Sequence, residues 1–212
     1  MGKVTAIRAG KSRARRVNLF LDGNFAFSLE SEVAQKENLR VGQELSQDRI
    51  KALARLDGQQ RCHNAALHYL GYRPRSEAEL RERLARRGFD GDSIEAVLNM
   101  LKQQALVNDT DFARFWRDNR QSFRPRSRWL TTRELRQKGV ADDVINEVVA
   151  TIDDEDSAYR AAMAKLRRLP PIDYQGFRRR LGDYLKRQGF SYGVINHTVG
   201  RVWHEQQEVN KI

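Results

Sequence analysis

Few residues in this sequence have the types and spacing that enzyme or metal chemistry requires. The single cysteine, Cys62, has no motif beside it that supplies a base, so we expect a buried apolar residue rather than a nucleophile. One cysteine also excludes a disulfide or a thiolate zinc site within the chain. No glycine-rich phosphate loop is present, and no metal-binding spacing joins the four histidines, His63, His68, His197 and His204. The sequence therefore predicts a protein that is not an enzyme and needs no cofactor or metal.

The remaining pattern that could have a binding function is a segment in which arginines alternate with aromatic residues. It runs through residues 114–138, where Trp116 and Trp129 lie among nine basic side chains. Arginine-rich segments suit a partner that carries phosphates, or a protein that coats such a partner. The alternative is that the charges are ordinary solvated helix faces and that Phe112 and Trp116, four residues apart, belong to a core. Trp129, in a basic linker, is the better candidate for a contact residue.

The candidate contact residues are basic side chains of the helical part of the chain, together with one tryptophan. They are Arg73, Arg75, Arg117, Arg120, Arg124, Arg126, Arg128, Trp129, Arg133, Lys138, Arg178, Arg179, Lys186 and Arg187.

Charge alternates in sign along the 212 residues, which carry 39 bases, 28 acids and a formal net charge of +11. Residues 1–16 hold +6, residues 114–138 hold +7, residues 139–156 hold −7 and residues 160–187 hold +7. A striped surface is therefore expected. No apolar run is long enough to cross a membrane and no secretory signal is present, so we expect a cytoplasmic protein.

The elements that must position these residues begin with a β-hairpin. Apolar residues alternate at 17–21 and 25–29 around Asp22 and Gly23, a pair typical of a two-residue hairpin turn, and residues 4–8 could add a strand. From Glu30 onward the apolar period changes to 3.6, which predicts short helices at 31–37 and 47–56 and only helices after them.

An internal repeat of about 50 residues organises the helical part. In each copy a leucine precedes a glycine by four residues, and an isoleucine follows the glycine by six. Glycine suits the left-handed position after a helix, and the apolar residue that follows it packs back on that helix. A capping box at Ser76 and Glu79 opens the helix before the first of these glycines. The repeat-defining residues are Leu84, Gly88 and Ile94, then Leu135, Gly139 and Ile145, then Leu185, Gly189 and Ile195.

A further helix precedes each of these helix–glycine–helix cores, which makes three tandem three-helix repeats. The predicted fold is mainly α, with the repeats in an extended, curved arrangement and an N-terminal β-hairpin with short helices. Proline falls in the link after the first helix of each repeat, at Pro74, at Pro125 and at Pro170 with Pro171. The predicted domains are 1–56 for the hairpin and short helices, and 59–105, 108–152 and 155–207 for repeats 1, 2 and 3.

Three stretches of the repeats closely resemble the RecX family of bacterial regulators. They are residues 73–89 with the apolar positions after them, residues 109–116, and residues 134–139. The resemblance runs from about Gln60 to the C-terminal region and is most specific in the first two repeats, whereas the third is recognised mainly by Gly189 and its neighbours. The hairpin lies outside this part and looks like an extension that some longer members carry.

The resemblance implies a regulator of the RecA recombinase in homologous recombination, DNA repair and the SOS response. RecX proteins bind RecA or the groove of its filament on single-stranded DNA, and mostly inhibit its ATP hydrolysis, strand exchange and coprotease activity. They are not enzymes. The implied partners are therefore RecA and its filament, with weak non-specific DNA binding and no membrane, and we expect a monomer. Together with the resemblance, the charge stripes favour a protein-coated nucleic acid over a naked one.

Two alternatives remain open at this point. A direct DNA-binding protein could use its helix–glycine–helix cores as helix-turn-helix modules, although residues 94–102 and 144–151 are poor in the basic groups that a recognition helix needs. A helical scaffold with an unrelated partner is the second alternative.

Overall fold

The computed structural model describes residues 1–10, 15–167 and 173–209. Within these ranges it contains four strands and ten helices. The chain divides into two compact units, one formed by residues 1–73 and 80–106 and the other by residues 74–79 and 107–212. Two sets of residues from the sequence predictions lie outside the described ranges: Lys11 and Arg13 of the first basic segment, and Pro170 with Pro171.

The N-terminal hairpin predicted from the sequence is present and belongs to a larger antiparallel sheet. Asp22 and Gly23 both have positive φ, 48° and 84°, as the two central residues of a type I′ turn require. Leu21 therefore pairs directly with Asn24. The sheet has the strand order β3-β2-β1-β4, with β1 at Gly2–Ala9, β2 at Arg16–Leu21, β3 at Asn24–Glu30 and β4 at Glu44–Leu45.

The fourth strand corrects the prediction that only helices follow the hairpin. β4 is two residues long, which is too short for an alternating pattern to reveal it. It forms because the chain turns at Gly42 and returns along β1, where Val4 N–H donates to Gln43 O at 2.8 Å and Val4 O accepts from Gly42 N–H at 2.7 Å. Val4 and Leu45 are both buried in the core beneath the sheet.

The second helix also differs from the prediction. After α1 (Ser31–Lys36), residues 47–70 form one helix, α2 (Gln47–Leu70), instead of a short helix at 47–56 followed by a separate first helix of repeat 1. Gly58 lies inside this helix. Glycine inside a helix costs about 1 kcal/mol, which tertiary contacts outweigh here. The buried Asp57 carboxylate accepts from the backbone N–H of Glu30 at 2.6 Å and from Arg16 Nη2 at 3.4 Å. These bonds attach the middle of α2 to strands β2 and β3.

The rest of the chain is helical, as predicted. The helices are α3 (Glu77–Arg86), α4 (Gly91–Gln103), α5 (Asp109–Phe123), α6 (Arg128–Gln137), α7 (Asp142–Val149), α8 (Asp154–Leu166), α9 (Tyr174–Arg187) and α10 (Tyr192–Val209). Repeat 2 packs α5, α6 and α7 around Phe112, Leu135 and Ile145, and repeat 3 packs α8, α9 and α10 around Leu181 and Leu185. None of the helices in the described ranges combines the length and the hydropathy needed to cross a membrane.

The three repeat glycines end their helices in the predicted way. Gly88, Gly139 and Gly189 have φ of 86°, 75° and 87°. In each case the next residue donates its backbone N–H to the carbonyl of the repeat leucine, at 3.2 to 3.3 Å, and closes the last turn. The leucines Leu84, Leu135 and Leu185 are all fully buried. Of the three isoleucines, Ile94 and Ile145 are buried, and Ile195 is half-buried against the core of repeat 3.

The second helix of a repeat begins at a serine that also contacts the glycine turn of the next repeat. Ser127 Oγ accepts from Leu130 N–H at 3.1 Å and so caps α6, while Ser127 N–H donates to Gln188 O at 3.1 Å. Ser76 likewise caps α3 through Glu79 N–H, and its hydroxyl donates to Lys138 O at 2.6 Å. Helix capping and repeat packing therefore use the same atoms.

Candidate functional site

Cys62 is buried in α2 and is not placed for nucleophilic chemistry. Its side chain is fully buried. Burial raises the pKa of the thiol from 9.0 to about 11, and the negative charge of Asp90 adds to the shift. The described part of the chain also lacks any group of three or more histidine, cysteine, aspartate or glutamate side chains that could hold a metal ion.

We expect the Cys62 thiol to react slowly in the native protein. Iodoacetamide at pH 8 should alkylate the folded chain at least about tenfold more slowly than the urea-unfolded chain, because the reactive thiolate is both scarce and covered. The raised pKa also makes the folded state lose stability as the pH rises from 9 to about 11, where the unfolded thiol ionises first. Cys62→Ala should reduce that loss in urea unfolding, and equal losses in both proteins would contradict this assignment.

Several of the nominated basic residues hold repeat 2 together. Glu134, half-buried on α6, accepts from Trp116 Nε1 at 2.8 Å and from Arg120 Nε at 2.8 Å. Its other oxygen pairs with Arg126. The Arg120 guanidinium lies 4.4 Å from the centre of the Trp116 ring. Burial lowers the pKa of the guanidinium groups of both Arg120 and Arg126. We call this group the Glu134 cluster. Its arginines were selected as contact candidates, but here they stabilise the packing of repeat 2.

Other nominated residues are also engaged inside the second unit. Arg117 Nη1 donates to Thr151 Oγ1 at 3.0 Å, and Arg128 Nη2 donates to the carbonyl of Ile152 at 2.7 Å. Lys138 pairs with Glu79. Of the two nominated residues that precede α3, Arg75 is buried and Arg73 is half-buried.

Four exposed residues near the α5–α6 link are a first group of candidate contact residues. Phe123 and Trp129 are 78% and 60% exposed, and Trp129 lies in the first turn of α6 instead of in a linker. Arg124 is exposed beside Phe123, and the exposed Arg133 guanidinium lies 5.8 Å from the centre of the Trp129 ring. Neither arginine has a salt bridge within the described part of the chain. We call these four residues the α5–α6 surface.

The remaining nominated bases lie on α9, and three of them line a groove against α10. This α9–α10 groove has a volume of about 650 Å³ and is lined by Arg178, Arg179 and Lys186, whereas Arg187 is exposed outside the lining. Two exposed tyrosines, Tyr174 and Tyr192, also line it. A hydrogen bond with Asn196 and the neighbouring Arg178 guanidinium lower the pKa of Tyr192.

Four family models match the chain and together follow its architecture. They are the RecX N-terminal domain at residues 2–46 and the first, second and third RecX three-helix domains at residues 62–101, 108–149 and 153–199. A protein of Clostridium botulinum (strain Eklund 17B / Type B) named regulatory protein RecX is 31% identical over 205 residues, which cover 94% of this chain and 95% of the relative. The chain belongs to the RecX family. The N-terminal match shows that the hairpin is part of a recognised RecX domain.

Other RecX proteins extend this likeness. The regulatory protein RecX of Bacillus licheniformis is 29% identical over 211 residues, with 98% of this chain and 80% of the relative covered. A crystal structure of regulatory protein RecX matches with a TM-score of 0.69 and 25% identity, over 93% of this chain and 98% of that one. The crystal structure of RecX from Lactobacillus salivarius has the same fold, with a TM-score of 0.57 and 22% identity over 74% of this chain and 99% of that one.

Within this RecX architecture, the sequence identified the arginines and Trp129 as candidates, but not the other exposed aromatic residues that accompany them. Phe123, Tyr174 and Tyr192 have no sequence signal that separates them from core residues such as Phe112 and Phe177, because all sit among helical apolar positions. Exposure, which only the packed repeats define, distinguishes them. Phe112 and half-buried Trp116 pack in repeat 2, as the core interpretation expected.

Proposed function

We propose that this chain binds the RecA recombinase, or the groove of its filament on single-stranded DNA, and mostly inhibits RecA. The inhibited activities are ATP hydrolysis, strand exchange and coprotease activity. Binding acts by occupying the groove and by contacting neighbouring RecA subunits, and no chemical step is performed by the chain. The process takes place in the cytoplasm, in homologous recombination and DNA repair. Membership of the RecX family is the observation that carries the proposal.

The α5–α6 surface supports this proposal with a specific contact. Arginine and tryptophan are enriched at the centres of protein interfaces, where few residues supply most of the binding energy. Arg133 beside Trp129 keeps its charge available, since neither it nor Arg124 is used in an internal salt bridge within the described residues. We therefore assign the first contact with the filament to this surface.

Direct reading of base pairs by a helix-turn-helix module is disfavoured. The helix that would enter the major groove in repeat 2 is α7, whose charged side chains are Asp142, Asp143 and Glu147. Phosphates would repel these carboxylates, and α7 supplies no basic side chain to a guanine edge. Non-specific phosphate contacts elsewhere on the chain remain compatible with the filament proposal.

We expect Trp129→Ala combined with Arg133→Gln to weaken the inhibition of RecA. In an assay of ATP hydrolysis stimulated by single-stranded DNA, the wild-type chain should lower the rate at substoichiometric or equal ratios to RecA. The double variant should need about tenfold more protein for half-maximal inhibition, because it lacks one aromatic anchor and one unpaired charge.

The matched control is Tyr72→Ala combined with Arg61→Gln, which removes an exposed ring and an exposed guanidinium from the first unit. It should inhibit as the wild type does. Circular dichroism should show that both variants fold. The absence of any wild-type effect at every stoichiometry would refute the function, whereas an equal loss in the control would refute only the assignment to the α5–α6 surface.

A further inference from the structure

The α9–α10 groove combines exposed aromatic rings with unpaired positive charge. Tyr174 is 43% exposed and Tyr192 is 73% exposed, and both line the groove. The Tyr174 ring packs near Trp203, with 5.2 Å between the ring centres, and the rest of it stays exposed in the groove as the Tyr192 ring does. Exposed rings in a concave site are suited to stacking with the flat groups of a ligand. Gly182 and Ile195 also line the groove.

The charge of the groove favours an anionic ligand. Arg178, Arg179 and Lys186 lie on one side of α9, and no carboxylate in the described part of the chain forms a salt bridge with any of them. Asp183 is the acidic residue of the lining, which leaves a formal charge of +2. Lys186 follows Arg178 by eight positions, or about 12 Å along the helix. The positive charge is therefore spread along the groove, as a chain of phosphates requires, and is not focused at one point.

We propose that the α9–α10 groove binds a single strand of nucleic acid. Phosphates lie along Arg178, Arg179 and Lys186, and bases stack on Tyr174 and Tyr192. Base–aromatic stacking in a positively charged groove is how proteins hold single strands without reading their sequence. The bases of a duplex are stacked on one another and cannot reach the tyrosines, so the groove selects single strands over duplexes. Because Asp183 offsets part of the charge, stacking supplies a necessary share of the affinity.

This binding is independent of RecA and is tested without it. We would titrate the full chain into fluorescein-labelled oligonucleotides and follow anisotropy, using dT15, U15, a 15-base-pair duplex and a 15-unit abasic strand. The chain should bind dT15 or U15 at least about tenfold more tightly than the duplex or the abasic strand. Three phosphate contacts on a single strand predict a slope of about −2 in log affinity against log salt.

Two groups of variants separate stacking from charge. Tyr174→Ala with Tyr192→Ala should weaken dT15 binding at least about tenfold, whereas Tyr174→Phe with Tyr192→Phe should retain it, because phenylalanine keeps the ring. Replacing Arg178, Arg179 and Lys186 with Gln should weaken binding and flatten the salt slope.

The control replaces Arg55, Arg167 and Arg180 with Gln, which removes the same charge from exposed positions outside the groove. This control should bind as the wild type does. The proposal is overturned if the wild type shows no binding, if the duplex and abasic strand bind as tightly as dT15, if the alanine pair has no effect, or if the control loses as much affinity as the groove variant. Inhibition of RecA by a chain that fails this test would leave the proposed function standing.

Discussion

Glu134→Ala should destabilise the second unit by about 3 kcal/mol. The substitution leaves the Arg120 and Arg126 guanidinium groups and the Trp116 indole N–H, all part of the Glu134 cluster, without the carboxylate that they share. Removing one partner of a desolvated ion pair costs this much because the remaining charge stays away from water. Urea unfolding followed by circular dichroism at 222 nm would measure the loss. The tryptophan emission should also shift, since Trp116 loses its hydrogen bond.

Two matched variants test the physical reason for this loss. Glu147→Ala removes a carboxylate from the same repeat, but its partner Arg114, 3.0 Å away, is exposed, so the cost should stay below about 1 kcal/mol. Glu134→Gln keeps the shape and part of the hydrogen bonding, and should fall between the two. Similar losses for Glu134→Ala and Glu147→Ala would show that the cluster contributes no more than a surface pair.

Gly189→Ala should destabilise repeat 3 by about 3 kcal/mol through two separate effects. The backbone at Gly189 has φ of 87°, which costs a residue with a β-carbon about 1 kcal/mol. The added carbon would also lie 2.6 Å from Ser127 Oγ and 2.7 Å from Leu130 Cβ, which is overpacking worth about 2 kcal/mol more. Native-state hydrogen exchange of the α9 amides would report the loss locally.

Gly88 is the control that separates backbone conformation from crowding. Its φ of 86° is nearly the same, but nothing lies within 4 Å of the position that a β-carbon would occupy. Gly88→Ala should therefore cost only about 1 kcal/mol, measured by exchange of the α3 amides. Equal losses at Gly88 and Gly189 would contradict the proposed contact between the glycine turn and Ser127. Gly139, which would meet Ala78, should behave like Gly189.

The repeat and the hairpin were readable from sequence because both depend on local rules. Glycine in a left-handed position after a helix, and Asp22 with Gly23 in a tight turn, are conformations that only a few residue types adopt without cost. The continuity of α2 and the pairing of β4 were missed because each depends on a distant contact. Asp57 bonds to Glu30, and Gln43 bonds to Val4, neither of which is visible in a window of neighbouring residues.

The roles of the candidate contact residues also depend on distant contacts that the local sequence does not reveal. Charge and neighbouring aromatic residues select fourteen positions in the sequence. Charge alone cannot distinguish an arginine that pairs internally from one that faces a partner. Arg120 and Arg126 share Glu134, whereas Arg124 and Arg133 do not pair within the described residues. The boundaries 1–56, 59–105, 108–152 and 155–207 and the binding roles of the outward residues stay predictions.

The sequence by itself determined the helical class, the three repeats and their glycine turns, since these follow from periodicity, turn chemistry and spacing along the chain. Its motifs also resemble those of the RecX family. Only the tertiary structure decided which arginines hold repeat 2 together, which rings are exposed beside charges, and why the glycine turn of repeat 3 admits no side chain. The reason is physical: burial, pairing and steric room are properties of groups far apart in sequence, and they exist only once the helices have packed.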